Sequence, residues 1–163
     1  MSKVPNPAPP QDFKSRLAAL CAEFPAYDIG PSDLPSTPYR AVKQGGGDKA
    51  LVLLAGSYDG LRSLLIQQAA ADSERVLLEL RSRQLATLAR RMGVRKYSVD
   101  IGDNEITVSD TVGGTPRAVR ITCEPRPTAD DELWFWTHWG DPIAPADKIT
   151  DAEVELVGLL ARP

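Results

Sequence analysis

The side chains with the most chemical potential in this sequence lie in one run, Leu133-Trp134-Phe135-Trp136-Thr137-His138-Trp139-Gly140-Asp141-Pro142. It holds all three tryptophans and the single histidine. A histidine acts as a general base or nucleophile activator only with partner groups placed around it. A zinc site needs several clustered nitrogen and sulfur ligands, and Cys21 and Cys123 stand far apart in the chain. The run therefore carries neither a metal motif nor a triad signature. Read as a strand over 133–139, it places Leu133, Phe135, Thr137 and Trp139 on one face. Trp134, Trp136 and His138 fall on the other. One face is enough to build a sheet–helix core. The second must be covered, or it forms an aromatic docking surface of the kind enriched at binding hot spots. Gly140-Asp141-Pro142 reads as the turn that ends the strand. Trp134, Trp136, His138, Trp139 and Asp141 are the candidate interaction residues.

Other constellations are weaker. Gly56-Ser57-Tyr58-Asp59-Gly60 between a strand and a helix has the outline of a phosphate-binding turn, but it matches neither G-x-x-x-x-G-K-[ST] nor G-x-G-x-x-G. It reads as a capped strand-to-helix turn, with Ser57 or Asp59 as the cap. Ser57 is not in a nucleophile elbow. Asp100-x-x-Asp103-x-Glu105 departs from the EF-hand spacing and suits a hairpin turn. Arg75, Arg81, Arg83, Arg90, Arg91 and Arg95 define a basic helix face. Such a face can neutralise phosphates, but it lacks the interleaved aromatics that single-strand binding uses. No cofactor is expected.

The elements that must position these residues follow from periodicity. Phe13, Leu17, Leu20 and Phe24 recur at helical spacing, predicting a helix over 11–23 that Pro25 stops. Residues 26–37 read as a short extended piece and a loop. Strands are predicted over 39–43 and 50–54, joined by the Gly45-Gly46-Gly47 turn. A helical pattern runs from Leu61 through Leu65, Ala69, Val76, Leu80, Leu88 and Met92, stopped by Gly93. It is one helix of roughly 50 Å at about 1.5 Å per residue, or two helices with Ser73 capping the second. Four strands follow, over 94–101, 105–109, 117–124 and 133–139, with turns at 102–104 and 113–116. Thr150-Asp151-Ala152-Glu153 fits a capping box, with Ile149 and Val154 as its hydrophobic staple. Short connections favour antiparallel over parallel pairing. The fold class is α+β: antiparallel sheets packed on a long central helix or helix pair and a C-terminal helix. The expected division is a disordered Pro-rich leader over 1–10, an N-terminal α-β-β-α lobe over 11–72 and a C-terminal α-β4-α lobe over 73–163, the two lobes forming either separate or one compact unit.

Composition sets outer limits. The chain has 163 residues, 42% of them hydrophobic and 25% charged, which is enough to bury a core. The longest apolar run, Leu51 to Ala55, is far short of the roughly 20 residues that cross a bilayer. The first ten residues have four prolines and no signal-peptide core. The expectation is a cytoplasmic protein with two reduced, mostly buried thiols, although sequence leaves a Cys21–Cys123 bridge open. Net charge is −3, unevenly spread. Residues 61–100 carry eight Lys/Arg against four Asp/Glu, and residues 101–163 carry five against twelve. That asymmetry favours association through complementary surfaces and disfavours non-specific nucleic-acid binding.

The order of elements resembles small actinobacterial-type α+β proteins of unassigned function. The residues that carry the resemblance are a helix ending in Leu20-x-x-x-Phe24-Pro25, a strand pair, a long Arg/Ala/Leu helix and Trp136-x-x-Trp139-Gly140-Asp141-Pro142-Ile143 before a capped helix. It covers most of 11–161 and is sharpest over 139–147. Such proteins often have tryptophan in the first lobe, where this chain has Tyr27 and Tyr39. The resemblance implies a fold pattern and no activity. The function expected is a non-enzymatic protein-interaction module, adaptor, chaperone-like or antitoxin/immunity-like, whose partner is another protein or a second copy. The alternatives are a small-molecule-binding protein with an aromatic pocket near Trp134, Trp136 and His138, and a nucleic-acid accessory protein using the basic helix.

Overall fold

The structure is a computed structural model that describes residues 11–45, 50–110, 117–128 and 131–161. The proline-rich leader, most of the Gly45–Gly47 turn and the turn at 113–116 lie outside the described residues. The elements run α1 (Gln11–Glu23), β1 (Tyr27–Pro31), β2 (Tyr39–Lys43), β3 (Val52–Ala55), α2 (Tyr58–Val94), β4 (Ser98–Ile101), β5 (Glu105–Asp110), β6 (Arg117–Pro125), β7 (Leu133–Thr137), β8 (Pro142–Pro145) and α3 (Ile149–Ala161). The architecture is α+β. One sheet has the order β1-β2-β3 and the other β4-β5-β6-β7-β8, with every pairing antiparallel. The chain divides into two compact units between Ser73 and Glu74. No helix among the described residues is long and apolar enough to cross a membrane.

In the first unit, α1 ends where the Phe24 N–H bonds the Leu20 carbonyl and Pro25 follows. The segment after it is a strand, not only an extended piece. Tyr27 and Ile29 alternate inward while Asp28 points out, and β1 pairs with β2 from Tyr27↔Lys43 to Pro31↔Tyr39. Three strands thus stand here, the larger of the two or three expected, because five residues of clean alternation are enough for an edge. Leu20, Tyr27, Ile29, Tyr39, Ala41, Ala55, Leu61 and Leu65 form the core of this unit. Ser57 is the cap of α2: its Oγ accepts from the Gly60 N–H at 3.1 Å, and its carbonyl accepts the Leu61 N–H.

The helix over 58–94 is continuous. Ser73 does not cap a second helix; its hydroxyl donates to the Ala69 carbonyl of the turn before, at 2.9 Å. The predicted apolar stripe is only partly a core stripe. Leu61 and Leu65 are buried in the first core, and Leu85, Leu88, Ala89 and Met92 in the second. Val76 and Leu80 are exposed, so the middle of the helix keeps helical spacing without a core to face. The helix also passes Gly93 by one residue. A Schellman motif then closes it: the Tyr97 N–H bonds the Met92 carbonyl, the Lys96 N–H bonds that of Gly93, and Lys96 takes the left-handed conformation at φ 69°. The next strand accordingly begins at Ser98, not Val94.

In the second unit, Ile106, Val108, Val119, Ile121, Cys123, Phe135 and Ala144 line one face of the five-stranded meander. They pack with Leu85, Leu88, Ala89 and Met92 of α2 and Ala152, Leu156 and Leu160 of α3. Two sequence expectations change here. First, β7 stops at Thr137. The Thr137 N–H and hydroxyl both bond the Asp141 carbonyl, and the Asp141 N–H returns to Thr137 Oγ1 at 3.0 Å. Gly140, at φ 94°, completes the reversal. Second, Pro142–Pro145 is not the tail of a turn but a fifth strand, β8. It pairs Trp134↔Pro145, Phe135↔Ala144 and Trp136↔Pro142, with a register shift between Phe135 and Trp136. Prolines are tolerated there because an edge strand leaves one side of its backbone unpaired.

The predicted capping box does not form. Lys148 is the residue whose carbonyl accepts the first bonds of α3, from the Asp151 and Ala152 N–H groups. Thr150 and Glu153 therefore sit inside the first turns. Val154 is 59% exposed, while Ile149 packs against the core of this unit. Glu153 is instead drawn to arginines of α2, as described below.

Both cysteines are free. Cys21 is exposed and Cys123 is buried, so only one thiol matches the expectation of burial. Burial pushes the Cys123 thiol up to about 11; nearby Arg81 lowers it and Glu124 raises it. At pH 8 in native buffer, a maleimide is expected to label Cys21 rapidly and Cys123 only after denaturation, read by intact mass. A second expectation concerns the helix end. Lys96→Gly removes the steric cost of a left-handed residue and should stabilise the chain by about 0.5–1 kcal/mol, seen as a higher urea midpoint at constant slope.

Candidate functional site

The five-stranded sheet has one face on the core and one turned away. Thr107, Ser109, Thr122, Glu124, Trp134 and Trp136 lie on the outer face, and none of them is buried. Trp134 and Trp136 come from alternate positions of β7, which is why they share this face. Trp134 stands opposite Glu124 of β6 and Trp136 opposite Thr122. Both are half-buried. The Trp136 indole N–H donates to the Glu124 carbonyl and the Trp134 indole N–H to Glu132 Oε2, each at 3.2 Å. The Arg126 guanidinium stacks on the Trp134 ring, 4.2 Å from its centre. The two rings are thus held in place by their polar edges while their faces remain partly open.

His138 and Trp139 do not extend either face. They belong to the turn after β7. His138 is exposed, its backbone N–H bonds the Arg120 carbonyl, and its ring meets that of Trp139 edge-on at 4.5 Å. Trp139 is 49% exposed, and its indole N–H donates to Asp141 Oδ2 at 2.8 Å. The aromatic candidates therefore divide into a sheet pair, Trp134 and Trp136, and a turn pair, His138 and Trp139, the latter held by Asp141. The buried residues of the run are Phe135 and Thr137. Sequence alternation missed this partition because it assumed that the strand continued to Trp139.

The six arginines of the predicted basic face also divide. Arg75 pairs within the helix with Glu79 at 3.8 Å, and Arg81 reaches Glu124 at 2.8 Å. Arg83 and Arg90 form no ion pair with another described residue. Arg91 Nη1 bonds Glu153 Oε2 at 2.9 Å and Thr150 Oγ1 at 3.0 Å, and Arg95 Nε bonds the other Glu153 oxygen. Glu153 itself is buried while both arginines are exposed. The Arg95 hydrogen bond, and next that of Arg91, hold the Glu153 carboxyl below its ordinary value of 4.5 against the opposing cost of burial. Arg90, Arg91, Val94, Arg95 and Glu153 line a cleft of about 430 Å³. A second cleft, of about 340 Å³, has Leu77, Leu80, Leu133 and Ala146 as apolar lining and Asp131, Glu132 and Asp147 as acidic lining. Among the described residues, no group of three or more His, Cys, Asp and Glu is placed to hold a metal ion.

Sequence reasoning missed Arg126, Glu132 and Glu153 as partners of these candidates. No local signal announces Arg126 or Glu153, which meet their partners only across the β6–β7 connection and between helices. Glu132 lies two residues before Trp134, a spacing that could have found it. Comparison with known proteins returns no matching family model, no matching curated protein and no matching solved structure.

The Glu153 pair makes a signed prediction. A carboxyl whose folded value lies below its unfolded value stabilises the fold above the unfolded value, and loses that contribution as pH falls through the folded one. Glu153→Gln is expected to lower stability at pH 7 by about 1.5–3 kcal/mol, as for hydrogen bonds to charged groups. The gap between parent and variant should shrink below pH 4.5. Urea denaturation at pH 7 and pH 3.5 reads both effects.

Proposed function

We propose that this chain is a protein-interaction module without catalytic chemistry of its own, and that it docks a partner on the outer face of the five-stranded sheet around Trp134 and Trp136. The observation that carries the reading is the pair of tryptophans side by side on a sheet face that is not buried. Their indole N–H groups are already satisfied, so the rings are pre-organised and need no ordering on binding. Trp is among the residue types enriched at binding hot spots.

The partner this surface suits presents Lys or Arg side chains. The Glu132 and Asp141 carboxylates stand beside the rings and accept from the indoles of Trp134 and Trp139, whereas the Glu124 carboxylate is already taken by Arg81. Arg126 on the Trp134 ring is an internal instance of the same recognition, a guanidinium on an indole next to a carboxylate. A cation on an aromatic face contributes about 0.5–2 kcal/mol, more as water is excluded.

The test is affinity enrichment from native lysate with the parent chain and the Trp134→Ser/Trp136→Ser double variant side by side, followed by calorimetry with the purified partner. The expected result is a protein enriched only by the parent, whose reconstituted affinity drops at least tenfold on Trp136→Ser and weakens as salt rises. An equal yield from parent and double variant, or recovery of the bare monomer alone, would sink the reading.

A further inference from the structure

The cleft at the end of α2 has a chemistry the sheet face does not share. Arg90, Arg91 and Val94 stand in the last turns of α2 and Arg95 is the residue just past it, and the three guanidinium groups and the valine line one cleft. Among the described residues, Glu153 is the only carboxylate in the lining. It offsets one of the three positive charges, and the negative end of the helix offsets roughly half a charge more. The cleft therefore keeps a net positive charge.

The hydrogen-bond inventory points the same way. A guanidinium carries five N–H donors in a planar fork. The bonds to Glu153 and Thr150 use Nη1 of Arg91 and Nε of Arg95. Both arginines keep further donors, and Arg90 is exposed and forms no ion pair with a described residue. Glu153, buried and bonded through both oxygens, acts as the post that holds two of the forks at fixed spacing. Val94 is 81% exposed and supplies an apolar wall beside them.

We propose that this cleft binds a small phosphate monoester with an apolar body: the phosphate oxygens on Arg90, Arg91 and Arg95, the body against Val94. A doubly charged phosphate matches the surplus charge better than a carboxylate, and planar guanidinium forks bind its oxygens in bidentate fashion. An extended nucleic acid fits less well, since no aromatic platform lines the cleft. The inference does not rest on the sheet-face reading, because it uses none of the same residues.

Calorimetric titration of the full chain with phenyl phosphate and, separately, inorganic phosphate tests it. Saturable one-to-one binding is expected, several-fold tighter for phenyl phosphate. Arg90→Gln, which breaks no side-chain bond to a described residue, should weaken phenyl phosphate about tenfold, the loss of one charge-assisted contact. Val94→Ser should bring phenyl phosphate down to the affinity of inorganic phosphate. Absence of saturable heat, or an Arg90→Gln affinity equal to the parent's, overturns the site. Equal affinity for the two probes overturns the role of Val94. Tighter binding of a single-stranded oligonucleotide, with a steep salt dependence, replaces the site with a polyanion surface.

Discussion

A buried carboxylate stays charged only where donors replace the water it has lost. In the second unit that condition falls on Glu153, and much of the local architecture follows from it. Its two oxygens draw Arg91 and Arg95, which ties the first turns of α3 to the last turns of α2. The capping box that Thr150 and Glu153 would otherwise form is given up, and the helix begins at an earlier residue. The apolar contacts of Leu156 and Leu160 with the sheet and with Leu88 and Met92 then lie on the side that the ion pair orients. The same constraint shapes the cleft beside it, because two arginines held by one carboxylate cannot collapse onto the surface.

The sheet solves a different problem. Its meander brings Ile106, Val108, Val119, Ile121 and Phe135 to one face, and two helices complete that core. The opposite face needs no apolar residue for folding, yet it carries Trp134 and Trp136. Their indole N–H groups are tied to Glu132 and Glu124, and Arg126 lies over one ring. Fixing large side chains on a face that is not buried lowers the entropy lost when a partner covers them, and this is the physical basis for reading them as a docking surface.

Charge was informative only after it was sorted by contact. The basic face and the acidic half seen in the sequence suggest two opposed surfaces. In the fold, Arg81, Arg91 and Arg95 are answered by Glu124 and Glu153 within the same unit. One cleft is lined by Arg90, Arg91 and Arg95 with Glu153, and another by Asp131, Glu132 and Asp147. Part of what reads as a diffuse asymmetry along the chain thus gathers at clefts of opposite sign.

The sequence alone determined the α+β class, the bounds of α1 and the strand positions over 39–43 and 117–124, because each depends on local periodicity or a proline; for the start of α2 it offered Ser57 and Asp59 as caps, and the fold selects Ser57. It also marked Trp134 and Trp136 as sharing one face, since alternation is a property of a single strand. The tertiary structure alone decided the rest. That β7 ends at Thr137 depends on bonds to Asp141; that Pro142–Pro145 is a strand depends on a neighbour to pair with; that Val76 and Leu80 are exposed depends on where a core lies along an unbroken helix. Glu153 has an ideal local role as a capping residue and takes a non-local one, because two guanidiniums stabilise a buried carboxylate more than one backbone N–H does. Such choices between local and distant partners are made by packing, and the residues that make them lie 58 and 62 positions apart in the chain.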